Sequence, residues 1–292
     1  MMIDKRVKKT TIAFLAVLSS FCLIPVLSYG KEPIPTVSWR ALSDVDVSPM
    51  GRAAISLYED DWKHAETEHF VYHFLDDDKA GIIYLKSEYY YGWIKDFFGV
   101  KKDNWKKKSH IFVFSSEEGW QAFKDRIGYS SGAAAFTNGW ELYIYPSPYW
   151  LAPMMTIAHE ITHIVVFRFL EGPIPLFLNE GFAEYTSVRA IAVRFRGNEY
   201  KVRKIKRIPR DEFIDVDELI TMTAMPEDVA IFYNESELLI RHLVLNYGKE
   251  EFYKLALEVS RGVSFKDACR KVYGTDYRSI KKDFEDFAIA ED

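Results

Sequence analysis

The sequence predicts an α+β fold, with a mixed N-terminal lobe at about 62–150 built on a small sheet and a mainly helical C-terminal lobe at about 151–290. Three observations carry this expectation. Patterns of period two, which suit strands, occur only before residue 150. Patterns of period 3.6 run on to the C-terminus almost alone. The chain has 292 residues, 48% of them hydrophobic and 16% aromatic, enough to build the core of one large or two small domains.

Residues 1–30 are set apart from the fold. Lys5, Arg6, Lys8 and Lys9 form a basic run, Thr11–Leu27 is apolar up to an interruption at Pro25, and Ser28-Tyr29-Gly30 offers small residues where a signal peptidase reads. The expectation is a signal peptide cleaved after Gly30 and an exported product, periplasmic or extracellular. The alternative is an uncleaved anchor, giving membrane association through residues 10–27, although seventeen apolar residues are marginal for a bilayer span. Residues 31–61, mixed and Pro-containing, read as a leader or linker, and the domain proper as 62–290. The net charge is −5, and loss of residues 1–30, with four bases and one acid, leaves −8. That balance argues against a nucleic-acid partner. Cys269 is then the only cysteine, so no internal disulfide is available.

Thr67–Phe74 alternates, with Phe70, Tyr72 and Phe74 on one face and His69, Val71 and His73 on the other. It reads as a strand whose histidines occupy the wetter face. Ala80–Val100 carries a helical stripe of Ile82, Ile83, Leu85, Tyr89, Trp93, Ile94, Phe97 and Phe98, expected in the core. Lys101–Lys108 is a basic connection and His110–Phe114 a second strand. Ser115-Ser-Glu-Glu118 is a helix start with its N-cap, opening a short helix through Phe123. Ser130–Phe136, the Asn138-Gly139 turn and Trp140–Tyr145 form a β-hairpin. Further along, Arg194–Arg210 is strongly basic and reads as a solvated face. Asp228–Tyr247 is an amphipathic helix closed by Gly248. Segments 250–260, 264–273 and 277–290 are short helices that complete the lobe.

The chemistry is concentrated just after the hairpin. Thr156–His163 lies in an apolar helical segment and contains His159-Glu160-x-x-His163, the H-E-x-x-H pattern. Residues i and i+4 share a helix face, so both imidazoles can reach one zinc ion, while Glu160 lies beside them, where it can act as general base on a water. Catalytic zinc takes three protein ligands and keeps one position open. After the breaker Glu171-Gly-Pro-Ile-Pro175, a second apolar segment brings Glu180 back and would complete a His2Glu set. Glu184, one turn further, is the rival third ligand. No third His follows His163 closely, and the only upstream cysteine is Cys22, in the leader.

Asn179-Glu180-Gly181-Phe182-Ala183 resembles the third-ligand segment of the gluzincins, the peptidase MA-like superfamily of thermolysin-like enzymes and zinc aminopeptidases. The resemblance assigns one zinc per chain to His159, His163 and Glu180, and makes Glu184 the carboxylate that orients a ligand His. Phe232-Tyr233-Asn-Glu-Ser236 resembles, in part, the position where gluzincin aminopeptidases place an oxyanion-stabilising Tyr, which would be Tyr233. It implies a zincin-like fold with the zinc cleft between the lobes, a peptide or protein substrate, and a sheet-edge strand bordering that cleft just before the metal helix. The Gly-Ala-Met-Glu-Asn segment with which the aminopeptidases grip a substrate N-terminus is not reproduced, since Gly132-Ala133 is followed by Ala134-Ala135-Phe136. The expectation is an exported zinc metallopeptidase. The alternatives are a non-catalytic zinc-containing binding or envelope-assembly module on the same fold, and a zinc hydrolase acting on a non-peptide bond.

Overall fold

The computed structural model describes residues 33–100, 103, 106–146, 151–196 and 206–290. Residues 1–32, and residues 197–205 of the basic stretch 194–210, lie outside the described residues. Ile34 to the C-terminus forms one compact unit. In chain order its elements are α1 (Pro49–Ile55), β1 (Lys63–Glu66), β2 (Phe70–Phe74), α2 (Asp77–Phe97), β3 (Ser109–Val113), α3 (Glu117–Ile127), β4 (Ala135–Asn138), β5 (Glu141–Ile144), α4 (Leu151–Phe169), α5 (Leu176–Arg196), α6 (Val216–Leu219), α7 (Val229–Tyr247), α8 (Lys249–Ser260), α9 (Phe265–Tyr273) and α10 (Tyr277–Ala288). The architecture is α+β, as expected: one five-stranded sheet first, then helices alone.

The sheet order is β1-β2-β3-β5-β4, with the central pairs parallel and each edge strand antiparallel to its neighbour. One face carries Phe70, Tyr72, Phe74, Ile111, Val113, Leu142 and Ile144, which join the main core with α2 and α4. The other carries Phe112 and Tyr143, which join Val47, Ala54, Trp62, Trp120 and Phe123 from α1, α3 and their flanks. Both faces are therefore covered, which is why every residue of β2, β3 and β5 is buried.

That second layer corrects two expectations. Residues 34–61 are not a linker, because Val47 and Ala54 are core residues and α1 is a capped helix on the sheet, Ser48 accepting from the amides of Met50 and Gly51. The β2 histidine face is not wet, because this segment covers it: His73 is fully buried, and His69 sits in the turn before β2. The alternation holds over Phe70–Phe74, but a period of two says which residues share a face and not what lies over it. Elsewhere local signals meet the structure closely. Ser116 caps α3 through the amide of Gly119 and Asp228 caps α7 through the amide of Ile231, whereas α3 runs four residues past the expected end at Phe123, to Ile127, where Gly128 stops it at φ 69°.

Four contacts position the site. Helix α4 runs beside edge strand β4 and packs against α2 and α5, and α5 packs against α7. The α5–α7 approach is close enough that a Cβ added at Gly181 would meet the Ser236 carbonyl oxygen at 2.5 Å. Glycine is required there for contact between helices, since without a side chain the two backbones can touch.

Candidate metal centre

His159, His163 and Glu180 offer three ligand atoms within 4.8 Å of one another, the one such group among the described residues. The Glu180 Oε2 atom lies 3.3 Å from His159 Nε2 and 3.7 Å from His163 Nε2. Ligand bonds of about 2.0–2.1 Å in a tetrahedron put neighbouring donors about 3.3–3.4 Å apart, so the spacing suits one small dication.

Each ring is held from behind. The Glu184 carboxylate lies 3.1 Å from His159 Nδ1, and Asn179 Oδ1 lies 3.1 Å from His163 Nδ1. These partners fix the rings so that both Nε2 atoms face the same point. Helix periodicity explains the pairing: Asn179, Glu180 and Glu184 fall on one side of α5, which faces the side of α4 carrying the two histidines. The sequence quoted Asn179 within the triplet without giving it a contact. Its signal was adjacency to Glu180 on a helix beginning only three residues earlier.

Glu160 is buried and accepts a 2.6 Å hydrogen bond from Thr137 Oγ1 on β4. Thr137 has no sequence signal, since only the sheet order places β4 along α4. The expectation that the hairpin borders the site as an edge strand agrees with this placement. Tyr233 comes from α7, its ring 6.1 Å from that of His159 and its hydroxyl under the influence of the Glu180 carboxylate. The structure thus brings all six expected site residues together, and adds Asn179 and Thr137.

The electrostatics favour positive charge at the centre. Burial works against a charged His159, but the hydrogen bonds of Glu180 and Glu184 outweigh it and hold its pKa well above the usual imidazole range. Burial likewise works against a charged Glu180, and the two histidines override it, holding its pKa below the usual carboxylate range. Burial, reinforced by Glu180, Glu184 and Glu160, pushes the Tyr233 phenol up, so it stays a protonated donor. A dication at the ligand trio would satisfy the same acids, and the residues present fit one.

Against known proteins, the family model of the peptidase MA superfamily matches residues 106–290, more than half of the chain. The chain belongs to the peptidase MA superfamily. The matched stretch runs from just before β3 to the end of α10 and includes every site residue named above. Among solved structures, one that it resembles is Legionella pneumophila aminopeptidase A in complex with aspartic acid, at 13% identity and a TM-score of 0.48, covering 78% of this chain. This chain spans 28% of the length of that one. Comparison with curated proteins finds no match.

Proposed function

We propose that this protein is an exported zinc-dependent metallopeptidase. The observation that carries the reading is the convergence of His159, His163 and Glu180 on one point, with Glu160 beside them and each imidazole braced through Nδ1. His159, His163 and Glu180 would hold the ion. When bound, zinc supplies Lewis acidity that polarises a carbonyl and acidifies water. Glu160 takes a proton from water as it attacks the scissile carbonyl and delivers that proton to the leaving amine. Thr137 holds the Glu160 carboxylate in place through the 2.6 Å bond. Tyr233, kept protonated, donates to the oxygen on which charge develops. Glu184 and Asn179 keep the two imidazoles aligned. Export is inferred from residues 1–30; among the described residues, no helix is long and apolar enough to cross a membrane.

The test sets zinc-loaded residues 31–292 and the Glu160→Gln variant against a diverse peptide library, with cleavage read by mass spectrometry. Removing a general base typically costs about 10²–10⁴-fold in rate, so cleavage by the parent and its near loss in the variant, with zinc content unchanged, is the expected outcome. Equal cleavage by both sinks the role of Glu160. Zinc in both with cleavage in neither replaces the peptidase reading with that of a binding module.

A further inference from the structure

Away from the candidate metal centre, three imidazoles form a line across β1, β2 and β3. His64 Nδ1 lies 2.9 Å from His73 Nδ1, and His73 Nε2 lies 2.9 Å from His110 Nδ1. At the far end His110 Nε2 lies 3.8 Å from Asp44 Oδ1. His64 is nearly buried, and His73 and His110 have no exposed surface. What covers them is the segment leading into α1. Val37 donates its amide to the His64 carbonyl at 2.8 Å, the Trp39 ring lies 5.3 Å from His64 and 5.6 Å from His73, and Asp44 accepts from the amide of Lys108.

Counting protons shows what this arrangement permits. A gap of 2.9 Å between two ring nitrogens is a hydrogen bond only when it holds one proton, since two N–H groups facing each other repel. Two gaps and two outer Nε2 atoms therefore hold at most four protons, whereas three free imidazoliums hold six. Three neutral rings hold three, so the closed line can accept one extra proton and must refuse two. Neighbouring charges do not change the count. Asp44 and, more distantly, Asp46 and the Glu141 carboxylate face His110. Asp46 is paired with Lys107, and Glu141 accepts from the Ser48 amide and from the hydroxyls of Ser48 and Tyr143. Arg52 is bonded to the Val47 carbonyl. Burial lowers the pKa of His64 and His110 and, with the two neighbouring rings, takes that of His73 well down, in the same direction as the count.

We propose that His64, His73 and His110 form an acid-released latch that holds residues 37–47 against the sheet. Each refused proton makes opening tenfold more favourable per unit of pH below the free imidazole pKa of about 6.5. Opening of the segment should therefore rise about 100-fold per pH unit well below that value.

The experiment is amide hydrogen exchange of the full chain from pH 8 to 5, corrected for intrinsic exchange and followed by mass spectrometry. The segment 37–47 is compared with α2, which covers the opposite face of the same sheet. The expected result is a steep loss of protection in 37–47 below about pH 6.5, with α2 unaffected. Opening that does not depend on pH, or that occurs with the same slope in α2, overturns the latch. Two variants grade it. His64→Phe leaves one gap and should reduce the slope to about tenfold per pH unit, and His73→Phe leaves none and should abolish it. If His73→Phe does not fold, an unchanged slope in His64→Phe is enough to reject the proposal.

Discussion

His163 illustrates how much one side chain depends on its neighbours. Its Nε2 faces Glu180 and its Nδ1 meets Asn179, so the ring has no freedom to turn away. His163→Ala leaves two donors where three converge, and zinc content measured by atomic absorption should fall from one per chain to near zero. Unchanged zinc content would falsify the ligand assignment. Glu235, two residues beyond Tyr233 on α7, has the opposite character. It is fully buried, accepts from the Ile214 amide through Oε2, and has no hydrogen-bond partner for Oε1 among the described residues. Burial pushes its pKa up to about 8. A carboxyl with a raised folded-state pKa binds a proton that the unfolded chain has released, so the folded state loses stability as pH rises from about 4.5 to 8. Glu235→Gln removes the ionisation while keeping an acceptor for Ile214. Thermal melts should show the variant gaining on the parent steadily across that interval. Parallel pH profiles for the two proteins would count against it.

At the scale of elements, the crossing of α5 and α7 decides whether Tyr233 reaches the metal centre. Gly181 follows Glu180 directly, and Ser236 lies one turn beyond Tyr233, so one point of backbone contact sits beside both residues. The 2.5 Å separation from an added Cβ to the Ser236 carbonyl leaves no room even for a methyl group, and backbone cannot give way as a side-chain tip can. Gly181→Ala should cost about 1–3 kcal/mol of stability by overpacking, read as a lower midpoint in denaturant unfolding. A variant as stable as the parent would show that the helices separate freely.

At the scale of the whole molecule, the candidate metal centre draws one side chain or more from each of four elements that pack in sequence, β4 on α4, α4 on α5 and α5 on α7. Glu160 is tied to β4, His159 and His163 belong to α4, Glu180 to α5 and Tyr233 to α7. An ion bound by the folded state and not by the unfolded chain stabilises the fold by RT ln(1 + [Zn]/Kd), about 4 kcal/mol at a thousandfold excess over Kd. Chelation should therefore lower Tm, and added zinc should restore it with a logarithmic dependence on concentration. A Tm indifferent to both would mean that the trio does not hold the ion. Without the ion, His159 carries the compensating charge beside Glu180 and Glu184.

The local layer of this architecture was legible in the sequence because its causes are local. Ser116 and Asp228 cap helices within three residues of themselves, Gly248 ends a helix through its own backbone angles, and His159 and His163 share a face because of helix pitch alone. Asn179-Glu180-Gly181 was legible for a different reason, its resemblance to the gluzincin third-ligand segment, since helix pitch alone left Glu180 and Glu184 both within reach. What the sequence could not contain is which element lies over which. Thr137 meets Glu160 only because β5 pairs between β3 and β4, leaving β4 at the edge beside α4. His73 is dry only because residues 34–61 fold back over β1, β2 and β3, and Gly181 is indispensable only because α7 crosses at that turn. Short-range geometry is set by bonds and periodicity, whereas contacts between distant segments are set by how faces bury one another, and this is decided only when the whole chain has packed.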